Sequence, residues 1–115
     1  MNAAIYARVS TTGQKDNGYS LGSQVRECQT YAERNGLNVV AAIQDDISGA
    51  TRLDEREGGR GLLELIESGQ ISAVIVWRLD RLSRPPDDEL SRLLTTIEHF
   101  QRHKVTLYDC ESGPI

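Results

Sequence analysis

The sequence predicts an α/β fold in three layers: a mostly parallel sheet of four to five strands flanked by helices, with the first strand central. Three observations lead there. Short apolar runs rich in β-branched residues alternate with stretches whose apolar residues recur at helical spacing, the order expected of βαβ units. Gly36 and Gly69 directly follow two of the helical stretches, where a chain leaving a helix often turns left-handed. Finally, 115 residues without repeats, low-complexity tracts or a linker are expected to form one domain, residues 1–115.

The first strand is read at residues 3–9, an apolar run suited to burial. Residues 11–22 are polar and glycine-bearing and read as a loop. From about residue 20 to 35 the apolar positions Leu21, Val25, Cys28 and Ala32 make a helical stripe. Arg34 in its last turn suits the negative end of the helix dipole. Residues 38–43 form the second strand and 44–58 a polar loop. A short helix follows at 61–68, carrying Leu62, Leu63, Leu65 and Ile66. The segment AVIVW at 73–77 is the clearest strand, with its β-branched residues. Pro85 and Pro86 announce the last helix, and Asp87, Asp88 and Glu89 sit at its positive end. Leu90, Leu93, Leu94 and Ile97 are its core stripe, with Arg102, His103 and Lys104 at the negative end. A final strand spans 105–108.

Composition narrows the function. Hydrophobic residues make up 38% and charged residues 26% of the chain, an ordinary globular balance. No run approaches the ~20 apolar residues of a membrane span. The opening MNAAIYARVS lacks the basic and long apolar regions of a secretory signal. Cys28 and Cys110 lie far apart, without a CxxC pair, and read as two small buried thiols in a reducing cytosol. The net charge is −4. A domain that grips DNA by itself is usually basic, so a nucleic-acid role needs local basic clusters or a separate basic domain.

Parallel sheets gather function in the loops after their strands. The first such loop holds Ser10, Thr11 and Thr12, just after Arg8. The second holds Asp45, Asp46, Ser48, Thr51, Arg52 and Arg56. The third holds Arg78, Asp80, Arg81, Ser83 and Arg84. On one edge of a sheet these arginines would make a cationic pocket on an acidic protein, suited to an anion such as a phosphodiester. Arginine offers rigid paired donors to phosphate oxygens and keeps its proton at neutral pH. Several around one phosphate would stabilise the charge of a transition state. They would also help a serine hydroxyl act as nucleophile. No histidine stands near these loops and no metal-ligand cluster is evident, so activation rests on guanidinium groups. Asp80, between Arg78 and Arg81, would orient a guanidinium or shuttle a proton. Plainer readings compete. Arginine–acid clusters are commonly weak surface ion pairs, and a serine after a strand commonly caps a turn. His99 and His103, four apart on a helix, read as solvent or dipole residues, since no thiol or carboxylate stands at matching spacing.

The motifs now in hand resemble, over essentially the whole chain, those of the resolvase/invertase or serine recombinase family. YARVST (6–11) resembles the signature around its nucleophilic serine. YSLGSQ (19–24) resembles the pattern opening its first long helix, Ser48-Gly49 its SG loop, and LDRLSR (79–84) its second, arginine-bearing signature. The resemblance implies Ser10 as nucleophile and Arg8, Arg81 and Arg84 as phosphate-binding arginines. It implies Asp80 as the accompanying acid, Tyr6 and Gln24 as supporting residues, and Ser48 as a loop position behind them. One more arginine belongs between the SG loop and the next helix. REGGRGLL (56–63) offers Arg56, with Gly59 where an apolar residue is usual; Arg60 fits only if the following segment is shortened.

The implied chemistry is transesterification. Serine attacks a DNA phosphodiester, a 5′-phosphoserine link forms, a 3′-hydroxyl leaves, and the strands are exchanged and resealed. No metal or nucleotide cofactor is implied. The implied partners are double-stranded recombination sites and further copies of the chain, as homodimer and homotetramer, with no membrane. The implied setting is cytoplasmic and nucleoid-associated, in a bacterial or phage-encoded protein. The long segment between Ser10 and Gln24 is more like the large type, the phage integrases and transposases. The interface helix and basic DNA-binding domains of full-length members are absent, which predicts a truncated catalytic domain inactive alone in recombination. Two rivals remain: a non-catalytic assembly or regulatory module of the same fold, and a phosphatase or nuclease. The intact set of Ser10, Arg8, Asp80, Arg81 and Arg84 disfavours the first. The lack of metal ligands and of a cysteine nucleophile in the loops disfavours the second.

Overall fold

Strand β1 (Asn2–Val9) organises the molecule, with Ala3 through Arg8 all fully buried. A computed structural model describes residues 1–9, 20–46, 53–77 and 89–114, the side chains of 9 and 89–94 excepted. After β1 come α1 (Leu21–Arg34), β2 (Asn38–Asp46), a 3-10 turn (Leu53–Glu55) and α2 (Glu57–Glu67). Then follow β3 (Ala73–Val76), α3 (Glu89–Arg102), β4 (Thr106–Asp109) and β5 (Gly113–Pro114). The sheet order is β2-β1-β3-β4-β5. β1 pairs in parallel with both β2 and β3, and β3 in parallel with β4. Among the described strands only β5 is antiparallel, against β4. β1 is thus interior, while β3 is the middle strand of the five.

Strand alternation sends successive side chains to opposite faces. Ala4, Tyr6, Val74, Val76 and Leu107 enter one core with Leu62 and Ile66 of α2 and Phe100 of α3. Ala3, Ile5, Ala73, Ile75 and Trp77 enter a second core with Cys28 and Ala32 of α1. Helices therefore cover both faces, giving the three predicted layers.

The helix ends follow local chemistry. Ser20 caps α1, its side chain accepting from the Ser23 N–H at 3.1 Å. Gly36, at φ +68°, takes the chain out of α1, and Gly69, at φ +78°, out of α2. The buried stripe of α1 is Gln24, Cys28 and Ala32, so a polar residue occupies a position the apolar pattern did not select. Phe100 of α3, also outside the predicted stripe, is almost wholly buried.

The largest departure is at residues 44–58, read as one polar loop. β2 runs on to Asp46 because Arg8 and Val9 of β1 pair with Asp45 and Asp46. The 3-10 turn lies inside that segment, and α2 begins at Glu57, four residues before the sequence reading starts it. Two glycines in its first turn disguise the helix, since glycine is a poor helix former. Tertiary contacts override that preference, as the site shows.

Candidate active site

β1, β2 and β3 are parallel, so their carboxyl ends lie on one edge of the sheet. The described site residues collect there, on β1, α1, β2 and the start of α2. Tyr6 donates its hydroxyl proton to Asp45 Oδ2 at 2.6 Å. The Tyr6 hydroxyl oxygen in turn accepts from Arg56 Nη1 at 3.0 Å. A phenol has one proton, so this orientation gives the carboxylate a donor and the guanidinium an acceptor. The Arg56 guanidinium carbon also stands 5.9 Å from the centroid of the Tyr6 ring. Burial, above all, raises the Tyr6 phenol above its ordinary range. The charge of Arg56 opposes that shift, and the hydrogen bond to Asp45 adds to it.

Asp45 binds further. Its Oδ1 accepts from the Gly58 N–H at 2.8 Å and its Oδ2 from the Gly59 N–H at 3.0 Å. These are among the amides that the first turn of a helix cannot satisfy internally, and the carboxylate faces the positive end of the helix dipole. A Cβ on Gly58 would lie 2.7 Å from Asp45 Oδ1, and one on Gly59 only 2.1 Å from the Leu53 carbonyl oxygen. Glycine is what lets the backbone come this close.

On the other side of β1, Gln24 of α1 grips the strand at Arg8. Its side-chain amide donates to the Arg8 carbonyl at 3.0 Å, and its carbonyl accepts from the Arg8 N–H at 3.2 Å. Both Arg8 and Arg56 are buried, and Arg60 is exposed. Two enclosed guanidinium groups thus stand at the carboxyl end of β1, where an anion would meet preorganised positive charge.

Of the expected residues, Tyr6, Arg8, Gln24 and Arg56 come together. Ser10, Ser48, Asp80, Arg81 and Arg84 lie outside the described residues. Asp45 is the residue whose importance the sequence hid. It appears there as one acid among several in a polar segment, and only strand pairing carries it beside Tyr6. A groove between α2 and α3, lined by Leu53, Leu63, Glu67, His99 and Arg102, contains none of the expected residues.

The model of the resolvase N-terminal domain family matches residues 3–115 of this chain. Solved structures agree. The N-terminal catalytic domain of TP901-1 integrase superposes with a TM-score of 0.82 at 29% identity, over 98% of this chain and 79% of that one. The C-terminal catalytic domain of ISC1926 TnpA, an IS607-like serine recombinase, gives 0.79 at 29% identity, over 96% and 70%. A resolvase family site-specific recombinase from Streptococcus pneumoniae gives 0.76 at 28% identity, over 98% and 74%. The chain belongs to the resolvase family, as a serine recombinase catalytic domain.

Proposed function

We propose that this domain cuts and rejoins DNA in site-specific recombination, with Ser10 as the nucleophile. The family match over residues 3–115 supports the activity. The observation that carries the assignment of residues is the burial of Arg8 and Arg56 beside the carboxyl end of β1, with Val9 alone between Arg8 and Ser10 in the sequence. In this reading Ser10 Oγ attacks the phosphorus of a phosphodiester. A 5′-phosphoserine bond forms as the Ser10 hydroxyl gives up its proton, the bond to the 3′-oxygen breaks, and that oxygen takes up a proton in exchange. The ester is conserved in energy, so the reverse attack by a 3′-hydroxyl reseals the strand. Arg8, Arg56, Arg81 and Arg84 stabilise the charge on the phosphate oxygens, and Asp80 orients a guanidinium or relays a proton. Tyr6 and Asp45 hold Arg56, and Gln24 holds the strand that delivers Arg8. Ser48 supports them from behind in the same reading.

The domain acts as the catalytic part of a longer chain whose other domains bind the recombination sites and assemble homodimers and homotetramers. The length of the segment between Ser10 and Gln24, with the likeness to TP901-1 integrase, favours the large type. Trapping on nicked recombination-site DNA tests the nucleophile. The longer recombinase should give a covalent protein–DNA adduct, mapped to Ser10 by mass spectrometry, and Ser10→Ala should give none. An undiminished adduct in Ser10→Ala would overturn the assignment.

A further inference from the structure

The chain has two cysteines, and the fold brings them together from 82 positions apart. Cys28 lies on the buried stripe of α1, its thiol 3.9 Å from the Ile75 carbonyl of β3. Cys110 lies half-buried in the turn after β4, its N–H bonded to the Val76 carbonyl at 3.0 Å. The two sulfurs are 3.7 Å apart, at van der Waals contact, and both are free thiols. The sheet register explains the meeting. Val76 pairs with Asp109, so the residue after β4 sits over the end of β3, against which α1 packs.

We propose that Cys28 and Cys110 are an oxidisable pair, a modification site at which a hydroperoxide closes a disulfide between α1 and the turn after β4. Cys110 is the less buried partner and reacts first. Its thiolate attacks a peroxide oxygen, the O–O bond breaks, and a sulfenic acid and one water result after protonation. The Cys28 sulfur then attacks the Cys110 sulfur. The S–O bond breaks, and the leaving hydroxide takes the Cys28 proton as a second water. Two thiols lose two electrons and two protons, and hydrogen peroxide is reduced to two waters. This order agrees with the Cys28 environment: contact with Cys110 and burial push its thiol pKa up, so it is not the group that starts the reaction. The remaining approach of the sulfurs falls on a turn rather than on a strand ladder. In a reducing compartment the pair stays open and closes only under oxidant, the usual behaviour of an intracellular disulfide.

The consequence reaches the site. Cys28 stands one helical turn from Gln24, which holds Arg8 by its backbone. Closing the disulfide fastens α1 to the sheet at that point.

The test uses the reduced 115-residue chain treated with hydrogen peroxide. The expected product is a monomer lighter by two hydrogens, giving a linked peptide pair containing Cys28 and Cys110, and reverting with dithiothreitol. Its Tm should rise by ~5 °C or more, because the crosslink closes a long loop in the unfolded chain. Cys110→Ser, at a half-buried turn position, should leave Cys28 a thiol under the same oxidant. Sulfinic acid at Cys110 beside an unreacted Cys28, or disulfides formed only between chains, would overturn the proposal.

Discussion

A single hydroxyl group decides how the buried polar cluster is held. Tyr6 Oη lies between Asp45 and Arg56, donating to one and accepting from the other. Removing it leaves each of those buried groups without that partner, a change that costs about 1–3 kcal/mol. Tyr6→Phe is therefore expected to lose about that much stability in urea denaturation, although it deletes one atom and no apolar contact. Its pH dependence has a definite sign. Burial raises the Tyr6 phenol above its ordinary value of about 10 in the folded chain. Below that pH the phenol is protonated in both states, and its contribution is fully present. Above it the unfolded chain releases a proton that the folded chain keeps, so stability falls as pH rises. The urea midpoint should decline above pH ~10, and more shallowly in Tyr6→Phe. Tyr31, also raised chiefly by burial, adds a residual slope of the same sign. Equal slopes in the two proteins would show that the phenol is not held this way.

At the scale of elements, α2 shows how a helix can start where propensity advises against it. Its first turn carries Gly58 and Gly59, and its amides bind Asp45 of another element. The same residue type has opposite meaning a few positions on. Gly61 has nothing within 4 Å of where a Cβ would lie, whereas a Cβ on Gly59 would meet the Leu53 carbonyl. Gly61→Ala should stabilise the domain by about 0.5–1 kcal/mol, the usual gain in a helix. Gly59→Ala should destabilise it by about 1–3 kcal/mol through overpacking. Chemical denaturation of both variants reads the contrast directly, and the same sign for both would refute the close approach of α2 to the 3-10 turn.

For the whole molecule the charge balance is the informative quantity. The chain is acidic, at −4, yet two of its arginines, Arg8 and Arg56, are buried beside the carboxyl ends of β1 and β2. Enclosed as they are, these two guanidinium groups do not lie on a surface that would follow a duplex. The domain by itself should bind duplex DNA with a Kd weaker than ~10⁻⁴ M at physiological salt, the weak end of non-specific binding. Fluorescence anisotropy with a duplex oligonucleotide measures this. A Kd tighter than ~10⁻⁶ M would mean that the domain carries its own DNA-binding surface.

Much of this was legible in the sequence by itself. The alternation of apolar runs and helical stripes determined a three-layer α/β domain, because strand and helix periods are local properties of the chain. The family motifs determined the class of protein, and Tyr6, Arg8, Gln24 and Arg56 as residues of interest. Local pattern failed where a contact from elsewhere outweighed it. Residues 44–58 look like a polar loop because Asp45 is charged and Gly58 and Gly59 disfavour helix. Only parallel pairing with β1 sets that carboxylate under the start of α2, and only then are the glycines required. Gln24 in a buried stripe and the meeting of Cys28 with Cys110 have the same cause. The tertiary structure decided which distant groups share one enclosed space, and burial makes each of those partnerships obligatory.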